Sequence, residues 1–205
     1  MFTYTYKLDH DLGFAPNPFF GHCTIACCKP RIRKGANIGD FVVGMAGKTG
    51  LPKFYRQIIF WMQVDEVISF NDYWKDTRFV AKRPLIPGPQ ISVVGDNTYR
   101  KQLITGKWLQ EISMHNIPGT YTKDKAHIET DTSVDRILIS KNFTYWGATG
   151  PQVPDDILGM FDNRDFRKNH SEDDKRKLHD LIDSATARGV LGTPIDWENL
   201  KYFSS

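Results

Sequence analysis

Two consecutive apolar runs decide the fold class: FVVGMAG at residues 41–47 and FYRQIIFWMQVDEVIS at residues 54–69. Both runs are rich in β-branched and aromatic residues, and glycines bound the first one, which is typical of strands that meet at sheet corners. Further candidate strands or strand pairs lie at residues 2–8, 22–28, 91–102 and 135–147. About six strands with glycine-rich corners predict an α+β fold with a β-rich, partly open barrel and short peripheral helices.

The C-terminal part of the chain has a helical pattern. Ser171 and Asp174 have the spacing of a helix cap at the start of EDDKRKLHDLIDSATARG, and Gly189 follows as a stop signal. One apolar stripe runs along this segment and consists of Leu178, Leu181, Ile182 and Ala185. The pattern predicts an amphipathic helix at about residues 171–188. Ser69 has the position of a cap for a second, shorter helix.

The composition limits the classes of protein and partner. A chain of 205 residues is long enough for one sizeable domain, which we divide into a β-rich core at residues 1–150 and an extension at residues 151–205. The net charge of +3 is too weak for general coating of DNA, so a nucleic-acid site needs a local cluster of basic residues. We see no signal peptide and no apolar stretch of about 20 residues, which predicts a cytoplasmic protein without a membrane partner.

All three cysteines, Cys23, Cys27 and Cys28, lie in one short apolar segment after His22. An odd number so closely spaced predicts free thiols. On a strand, Cys23 and Cys27 share one face and Cys28 lies on the other. The favoured interpretation is that they pack as small hydrophobic residues, and the alternatives are a nucleophilic thiol and a metal site. No second cysteine-rich segment supplies the paired spacing of a zinc site, so no metal is expected.

A basic run follows the cysteines directly and contains Lys29, Arg31, Arg33 and Lys34. In an extended segment Arg31 and Arg33 share a face, and a guanidinium group matches phosphate oxygens in a bidentate geometry. Because the run comes just after a predicted strand, it has the position of a loop that contacts an anion. The alternative is a solvated surface without a ligand.

Aromatic rings and asparagines near predicted loops indicate a base-binding site, since rings stack on bases and amides hydrogen-bond to base edges. With the basic run, they make up the predicted ligand-binding set: Phe14, Asn17, Phe19, Lys29, Arg31, Arg33, Asn97, Tyr99, Tyr145 and Trp146. Asp40 and Asp96 each follow a glycine and are candidates for general acid or base catalysis, although Gly-Asp pairs also occur in ordinary turns. The sequence has no phosphate-loop, dinucleotide-binding, zinc-protease or serine-hydrolase motif, and no cofactor is expected.

Two resemblances to known families narrow the prediction. The pattern IGDFVVGMAG at residues 38–47, followed by IIFWMQVDEVISFNDYW at residues 58–74, resembles the core of PUA-like, ASCH and EVE domains. Those domains bind RNA or modified nucleobases. The segments GFAPNPFFGHCTIACCKPRIRKGANIGDFVVG, VVGDNTY and ILISKNFTYWG, within residues 13–147, resemble the second type of nucleotide modification associated domain. That family occurs in bacteria and their phages and is linked to DNA base hypermodification.

Together the resemblances imply a PUA-like partly open barrel and a role around modified nucleotides. The motif positions nominate Asn17, Lys29, Arg31, Arg33, Asp40, Asp96, Asn97 and Tyr145. We therefore expect binding of a nucleotide, or of a modified nucleobase in nucleic acid, in connection with bacterial or phage DNA base modification. One alternative is an enzyme that acts on a nucleobase or nucleotide through Asp40, Asp96 or a cysteine thiol. The other is a phage protein that binds a host partner without a nucleotide site.

Overall fold

The computed structural model describes residues 1–184 and 187–199. Ten strands lie in these ranges: β1 (Thr3–Leu8), β2 (Cys23–Ile25), β3 (Phe41–Ala46), β4 (Ile58–Gln63), β5 (Glu66–Ile68), β6 (Tyr99–Lys101), β7 (Trp108–Gln110), β8 (Ile137–Ser140), β9 (Asn142–Tyr145) and β10 (Gly189–Val190). Five α-helices accompany them: α1 (Pro30–Gly35), α2 (Phe70–Lys75), α3 (Gln90–Val93), α4 (Lys125–Thr132) and α5 (Glu172–Asp183). Within the described ranges no helix is long and apolar enough to cross a bilayer.

The strands form three open sheets. The largest has the order β1-β3-β4-β9-β10, in which β1 pairs with β3 and β10 pairs with β9 in parallel, while the other pairs are antiparallel. A second sheet has the order β2-β8-β5, and β6 and β7 form a separate hairpin. The predicted α+β class is confirmed. In the part of the chain that the structure describes no sheet closes into a barrel, and the PUA-like core stays a prediction.

The two longest predicted strands, residues 54–69 and 135–147, each divide between the two larger sheets. Strand β4 pairs with β9 in the first sheet and β5 pairs with β8 in the second, so one antiparallel ribbon continues across both. The Asp65 carboxylate holds the bend, because its Oδ2 accepts the backbone N–H groups of Lys141 and Asn142 at 2.5 and 3.3 Å. The ribbon therefore connects the sheet of the N-terminal strand with the sheet of the cysteine segment.

The prediction of a strand pair at residues 91–102 is wrong. Helix α3 occupies its first part, and only Tyr99–Lys101 forms a strand. The helical turn forms because the Pro89 carbonyl accepts hydrogen bonds from the N–H groups of Ser92 and Val93. Local backbone hydrogen bonds thus replace the β pairing that the apolar residues of this segment suggest.

The C-terminal helix begins as predicted and ends earlier. The Ser171 hydroxyl accepts the Asp174 N–H at 3.1 Å, but α5 ends at Asp183 rather than near residue 188. Gly189 lies in β10, where it pairs with β9, instead of ending the helix. Of the expected apolar stripe, Leu178 and Ile182 are buried, Leu181 packs beside them, and Ala185 lies outside the described residues.

The large sheet is buried on both faces. Val42 and Phe60 belong to a cluster shared with the second sheet, whereas their neighbours Val43 and Trp61 pack in the cluster that contains α5 side chains. A third cluster lies on the opposite face of the second sheet, with side chains from α2 and β6. The candidate site described next is built at the edge of this third cluster.

Candidate active site

Cys28 lies at a sharp turn between a strand and a helix. After β2 the chain reaches Cys28 and Lys29, whose φ values of 57° and 43° are in the left-handed region, and Pro30 then begins α1. Such backbone is unfavourable for residues other than glycine, at a cost of about 1 kcal/mol or more each. Cys28 is half-buried, whereas Cys23 and Cys27 are fully buried. The turn therefore leaves Cys28 the least buried of the three cysteines, although it also packs against the third cluster, and the packing interpretation holds for Cys23 and Cys27.

His115 and Asp131 complete a chain of hydrogen bonds with this thiol. Cys28 Sγ lies 3.4 Å from His115 Nε2, and His115 Nδ1 lies 2.7 Å from Asp131 Oδ2. The second carboxylate oxygen of Asp131 accepts the backbone N–H of Cys28 at 2.6 Å. Asp131 therefore orients both the imidazole and the turn. A nucleophile, a base and an orienting carboxylate in this order are the groups that thiol and serine catalysis need.

Three aromatic side chains surround the His115 ring. The Tyr99 hydroxyl lies 3.3 Å from Nδ1, the Phe14 ring meets the imidazole edge-on at a centroid distance of 4.7 Å, and His127 stacks on it at 4.2 Å. His115 and Tyr99 are buried, whereas His127 is exposed. Two residues of the predicted ligand-binding set, Phe14 and Tyr99, thus lie at the site.

Arg33 fixes the backbone around the site. Its guanidinium is fully buried and donates to the carbonyls of Cys28 at 2.9 Å and Asp131 at 2.5 Å. It also donates to the carbonyls of Val134 and Arg136, both at 2.8 Å. Since a guanidinium carries five N–H groups, these four bonds leave little capacity for a phosphate. Arg33 therefore positions the Cys28 turn against the end of α4.

The charge of the site depends on the His115–Asp131 pair. Burial alone would lower the pKa of His115, but the hydrogen bonds to Asp131 and Cys28 outweigh it and raise this pKa to about 10. Burial acts to raise the pKa of Asp131, and the hydrogen bond to His115 holds it below its usual value instead. An imidazolium–carboxylate pair therefore persists at neutral pH beside the sulfur. The group nearest the sulfur is thus a proton donor at neutral pH, the role of a general acid.

Cys27, His115 and Asp131 each place one potential metal ligand within 4.8 Å of the others. The Cys27 sulfur, however, lies 3.4 Å from the Asp96 carbonyl and 3.3 Å from the Thr98 hydroxyl, and burial raises the pKa of this thiol well above its usual value. A metal needs a thiolate, and His115 and Asp131 already bond to each other. The donor set fits a thiol triad better than a metal centre.

Asp96, a predicted catalytic candidate, lies in a second polar cluster that is fully enclosed. Its carboxylate accepts the hydroxyls of Tyr73 at 2.8 Å and Thr24 at 2.6 Å. Lys82 donates to the Thr24 hydroxyl at 3.0 Å and to the side-chain and backbone oxygens of Asn17 at 2.6 and 3.0 Å. Burial lowers the pKa of Lys82 to about 8 and raises that of Asp96. Because Asp96 and Lys82 are both 0 % exposed, we assign this cluster to stability.

The two asparagines expected to recognise a base are both buried. Asn17 Nδ2 donates to the Val94 carbonyl at 2.8 Å. Asn97 Nδ2 donates to the carbonyls of Tyr73 and Phe79, each at 3.1 Å. Their amide nitrogens therefore hold backbone segments together, and neither amide reaches the surface.

Three predicted aromatic ligands pack inside the protein. The Tyr145 hydroxyl donates to the Asp11 carboxylate, and burial raises the pKa of that carboxyl to about 6. Phe19 stacks on Trp197 at a centroid distance of 5.4 Å, and Trp146 is buried in the cluster that contains α5 side chains. These three rings support the fold around the site, and none of them presents a free ring face to a ligand.

The basic run does not have the expected extended form. It forms α1, in which Arg33 is buried and Arg31 is exposed and pairs with Asp165 at 3.2 Å, so the prediction of a shared face is wrong. Lys29 is half-buried and directly follows Cys28. Asp40 accepts the backbone N–H of Asn37 at 3.0 Å, which is ordinary turn chemistry, and that of Phe2 at 2.7 Å, which ties the N-terminus to this turn. Lys29 is the cation of the run that lies next to the thiol in the chain.

Sequence reasoning missed His115, Asp131 and His127. His115 and Asp131 lie 87 and 103 positions from Cys28, and neither belongs to a motif with a known spacing. Residue type was the available signal, since a thiol nucleophile needs a histidine and a carboxylate somewhere in the chain. Only the fold shows which of the histidines is the partner.

A family model described as nucleotide modification associated domain 2 matches residues 1–201. The chain belongs to this family. The matched range includes the Cys28 turn, His115 and Asp131, and the resemblance drawn from the sequence motifs is confirmed. Membership associates the protein with nucleotide modification. No curated protein and no solved structure gives a significant match.

Proposed function

We propose that the protein is a thiol-dependent enzyme that acts on a nucleotide or nucleobase in nucleotide modification. The observation that carries the proposal is the unbroken series of hydrogen bonds from Cys28 Sγ through His115 to Asp131. Family membership supports a nucleotide or nucleobase as the class of substrate, and the half-buried Cys28 supports thiol chemistry.

Each member of the triad has a separate role. The Cys28 thiolate attacks an electrophilic carbon of the substrate, and a sulfur–carbon bond forms. The electron pair displaced from that carbon moves to a neighbouring nitrogen or oxygen of the substrate, which takes the proton held at His115 Nε2. Asp131 keeps the Nδ1 proton in place and stabilises the imidazolium before the transfer. The modified product forms while the substrate is attached through this sulfur–carbon bond; return of the proton to His115 Nε2 and cleavage of the bond then release the product and restore the thiolate.

The surroundings of the thiol suit a nucleotide. The exposed His127 ring offers a stacking surface for a base, and Lys29, one position after Cys28, offers a cation to a phosphate. Binding of a nucleotide or modified nucleobase, the first expectation from the sequence, is thus the binding step of this proposal. Of the predicted set it uses Lys29 to contact the ligand, while the buried Phe14 and Tyr99 hold His115 in place.

The test is protection of Cys28 from iodoacetamide, read by peptide mass spectrometry. The probes are dAMP, dCMP, dGMP, TMP, 5-hydroxymethyl-dCMP and a short duplex DNA. We expect at least one probe to slow alkylation of Cys28 in a saturable way, and a Lys29→Ala variant to need a higher concentration of it. A Lys53→Ala variant, which removes an exposed lysine of another loop, is the matched control.

Two results would overturn the proposal. One is alkylation of Cys28 that no probe slows, together with no thermal shift by any probe; this outcome favours the partner-protein alternative. The other is stoichiometric zinc in the purified protein that is lost in the Cys27→Ala variant, which would make the cluster a metal centre.

A further inference from the structure

The β6–β7 hairpin begins at the candidate site and ends in solvent. Its first residue, Tyr99, contacts His115, and its strands pair in register from Tyr99–Gln110 to Lys101–Trp108. A strand advances about 3.3 Å per residue, so the loop starts roughly 10 Å from the Tyr99 backbone. The hairpin is therefore an arm attached directly to the triad.

The tip of this arm is apolar, exposed and closed by backbone hydrogen bonds. Leu103 and Ile104 are 79 % and 95 % exposed, the largest exposures among the big apolar side chains of the described residues. The loop is closed by backbone bonds between Gln102 and Lys107 at 2.8 Å and from Gly106 to Gln102 at 2.9 Å. Two adjacent aliphatic side chains are thus held out into water by a hydrogen-bonded turn, and exposed apolar groups of this kind mark interaction sites.

The charge around the tip is positive. Residues 99–110 contain Arg100, Lys101 and Lys107 and no acidic residue. Arg100 pairs with Glu111, while Lys101 and Lys107 are exposed on either side of the tip. An apolar tip between two cations complements a polyanion with an apolar interior, which describes a nucleic-acid duplex.

We propose that the β6–β7 hairpin is a wedge that enters a nucleic-acid duplex, with Leu103 and Ile104 between base pairs and Lys101 and Lys107 on the phosphates. Leucine and isoleucine serve as wedges that partly unstack a base step. Enzymes that act on a base within a duplex must first move it out of the stack. The inference rests on the proposed function for its catalytic site and names the substrate: a base in a polymer rather than a free nucleotide.

The first experiment measures binding and unstacking separately. The probe is a short DNA duplex with one 2-aminopurine, whose fluorescence increases when the base leaves the stack, and anisotropy reports binding. We expect the Leu103→Ser/Ile104→Ser double variant to lose the fluorescence increase and to bind at least tenfold more weakly. Ile38→Ser, which replaces an apolar side chain that is 69 % exposed in another loop, is the matched control and should change neither signal.

The salt dependence tests the cations. Each phosphate contact contributes about 0.9 to the slope of log K against log salt, so the Lys101→Ala/Lys107→Ala variant should lower that slope by about 2. Duplex binding and fluorescence that are unchanged in the tip variant would refute the inference. So would a defect confined to binding of phosphatidylglycerol vesicles or to self-association, because the tip would then serve a membrane or a second copy.

The Cys28→Ala variant separates this inference from the proposed function. It should bind and unstack the duplex as the unaltered protein does, because the hairpin does not use the thiol. If the Leu103→Ser/Ile104→Ser variant loses duplex binding and unstacking while no probe protects Cys28, the wedge proposal holds and the thiol chemistry is wrong. If free nucleotides protect Cys28 and the protein does not bind the duplex, the thiol chemistry holds and the wedge proposal is wrong.

Discussion

Replacement of His115 by Asn tests whether its charge activates Cys28. At the observed Sγ–Nε2 distance of 3.4 Å, two unit charges attract by about 1 kcal/mol in bulk water and about 5 kcal/mol at an effective dielectric constant of 20. The smaller energy corresponds to a factor of about five in an equilibrium or rate constant, since 1.4 kcal/mol corresponds to about tenfold.

Only about half of this energy is expressed in the rate of attack, because a sulfur anion that is stabilised by a nearby charge is also a weaker nucleophile, with a Brønsted slope of about 0.4–0.5. We therefore expect the alkylation rate of Cys28 at pH 6 to fall at least about twofold in His115→Asn. His115 is protonated at that pH, since its pKa is raised to about 10.

The assay is iodoacetamide labelling followed by peptide mass spectrometry. Cys23 and Cys27 are internal references, because burial raises the pKa of Cys23 to about 12 and that of Cys27 well above its usual value. Both should stay unlabelled in the variant, which shows that the fold is intact. His127→Asn, which alters the stacked ring without touching the sulfur, should leave the rate unchanged. Equal Cys28 rates in His115→Asn and the unaltered protein would refute the activation.

Three further predictions concern stability. Lys82→Met removes the buried cation of the Asp96 cluster and should lower the free energy of unfolding by about 3–5 kcal/mol in urea titrations. The Lys82→Met/Asp96→Asn double variant should lose less stability than Lys82→Met alone. Arg33→Met leaves four carbonyls without donors and should lower the melting temperature strongly, whereas Arg31→Met, at an exposed ion pair, should change stability by about 0.5 kcal/mol or less. Folding raises the pKa of His115 from about 6.5 to about 10, so the contribution of this histidine to stability is complete below pH 6.5 and disappears as the pH rises to 10. The difference in urea midpoint between the unaltered protein and His115→Gln should therefore narrow between pH 6.5 and 10. A constant difference would contradict the His115–Asp131 ion pair.

Strands could be predicted from the sequence where a single apolar run forms a strand of only one sheet. Residues 2–8 and 41–47 alternate or run apolar without interruption, and they form β1 and β3. Residues 54–69 and 135–147 were also recognised as extended, yet their division between two sheets is set by distant contacts, among them the Asp65 carboxylate, which accepts N–H groups 76 and 77 positions away. Composition and periodicity describe local backbone and contain no information on such a distant contact.

The candidate site was predicted in part for a similar reason. Phe14 and Tyr99 were chosen as aromatic ligands, and both contact His115. Arg33 was chosen as a phosphate ligand, because in an extended segment it shares a face with Arg31 and a guanidinium matches phosphate oxygens. In the fold it is 0 % exposed, since the carbonyls of four residues converge on it. Which charged residue of a run becomes buried depends on the end of α4, about a hundred positions later in the chain.

The wide spacing of the triad has a consequence for synthesis of the chain. The bond from Cys28 to Asp131 spans 103 positions, and contacts of such separation form late because the intervening loop must close first. A nascent chain that has exposed Cys28 has not yet produced its partners, so its thiol behaves as an ordinary one. Reactivity at Cys28 thus reports completion of the fold, and truncated or partly folded copies present no activated thiol to the cell.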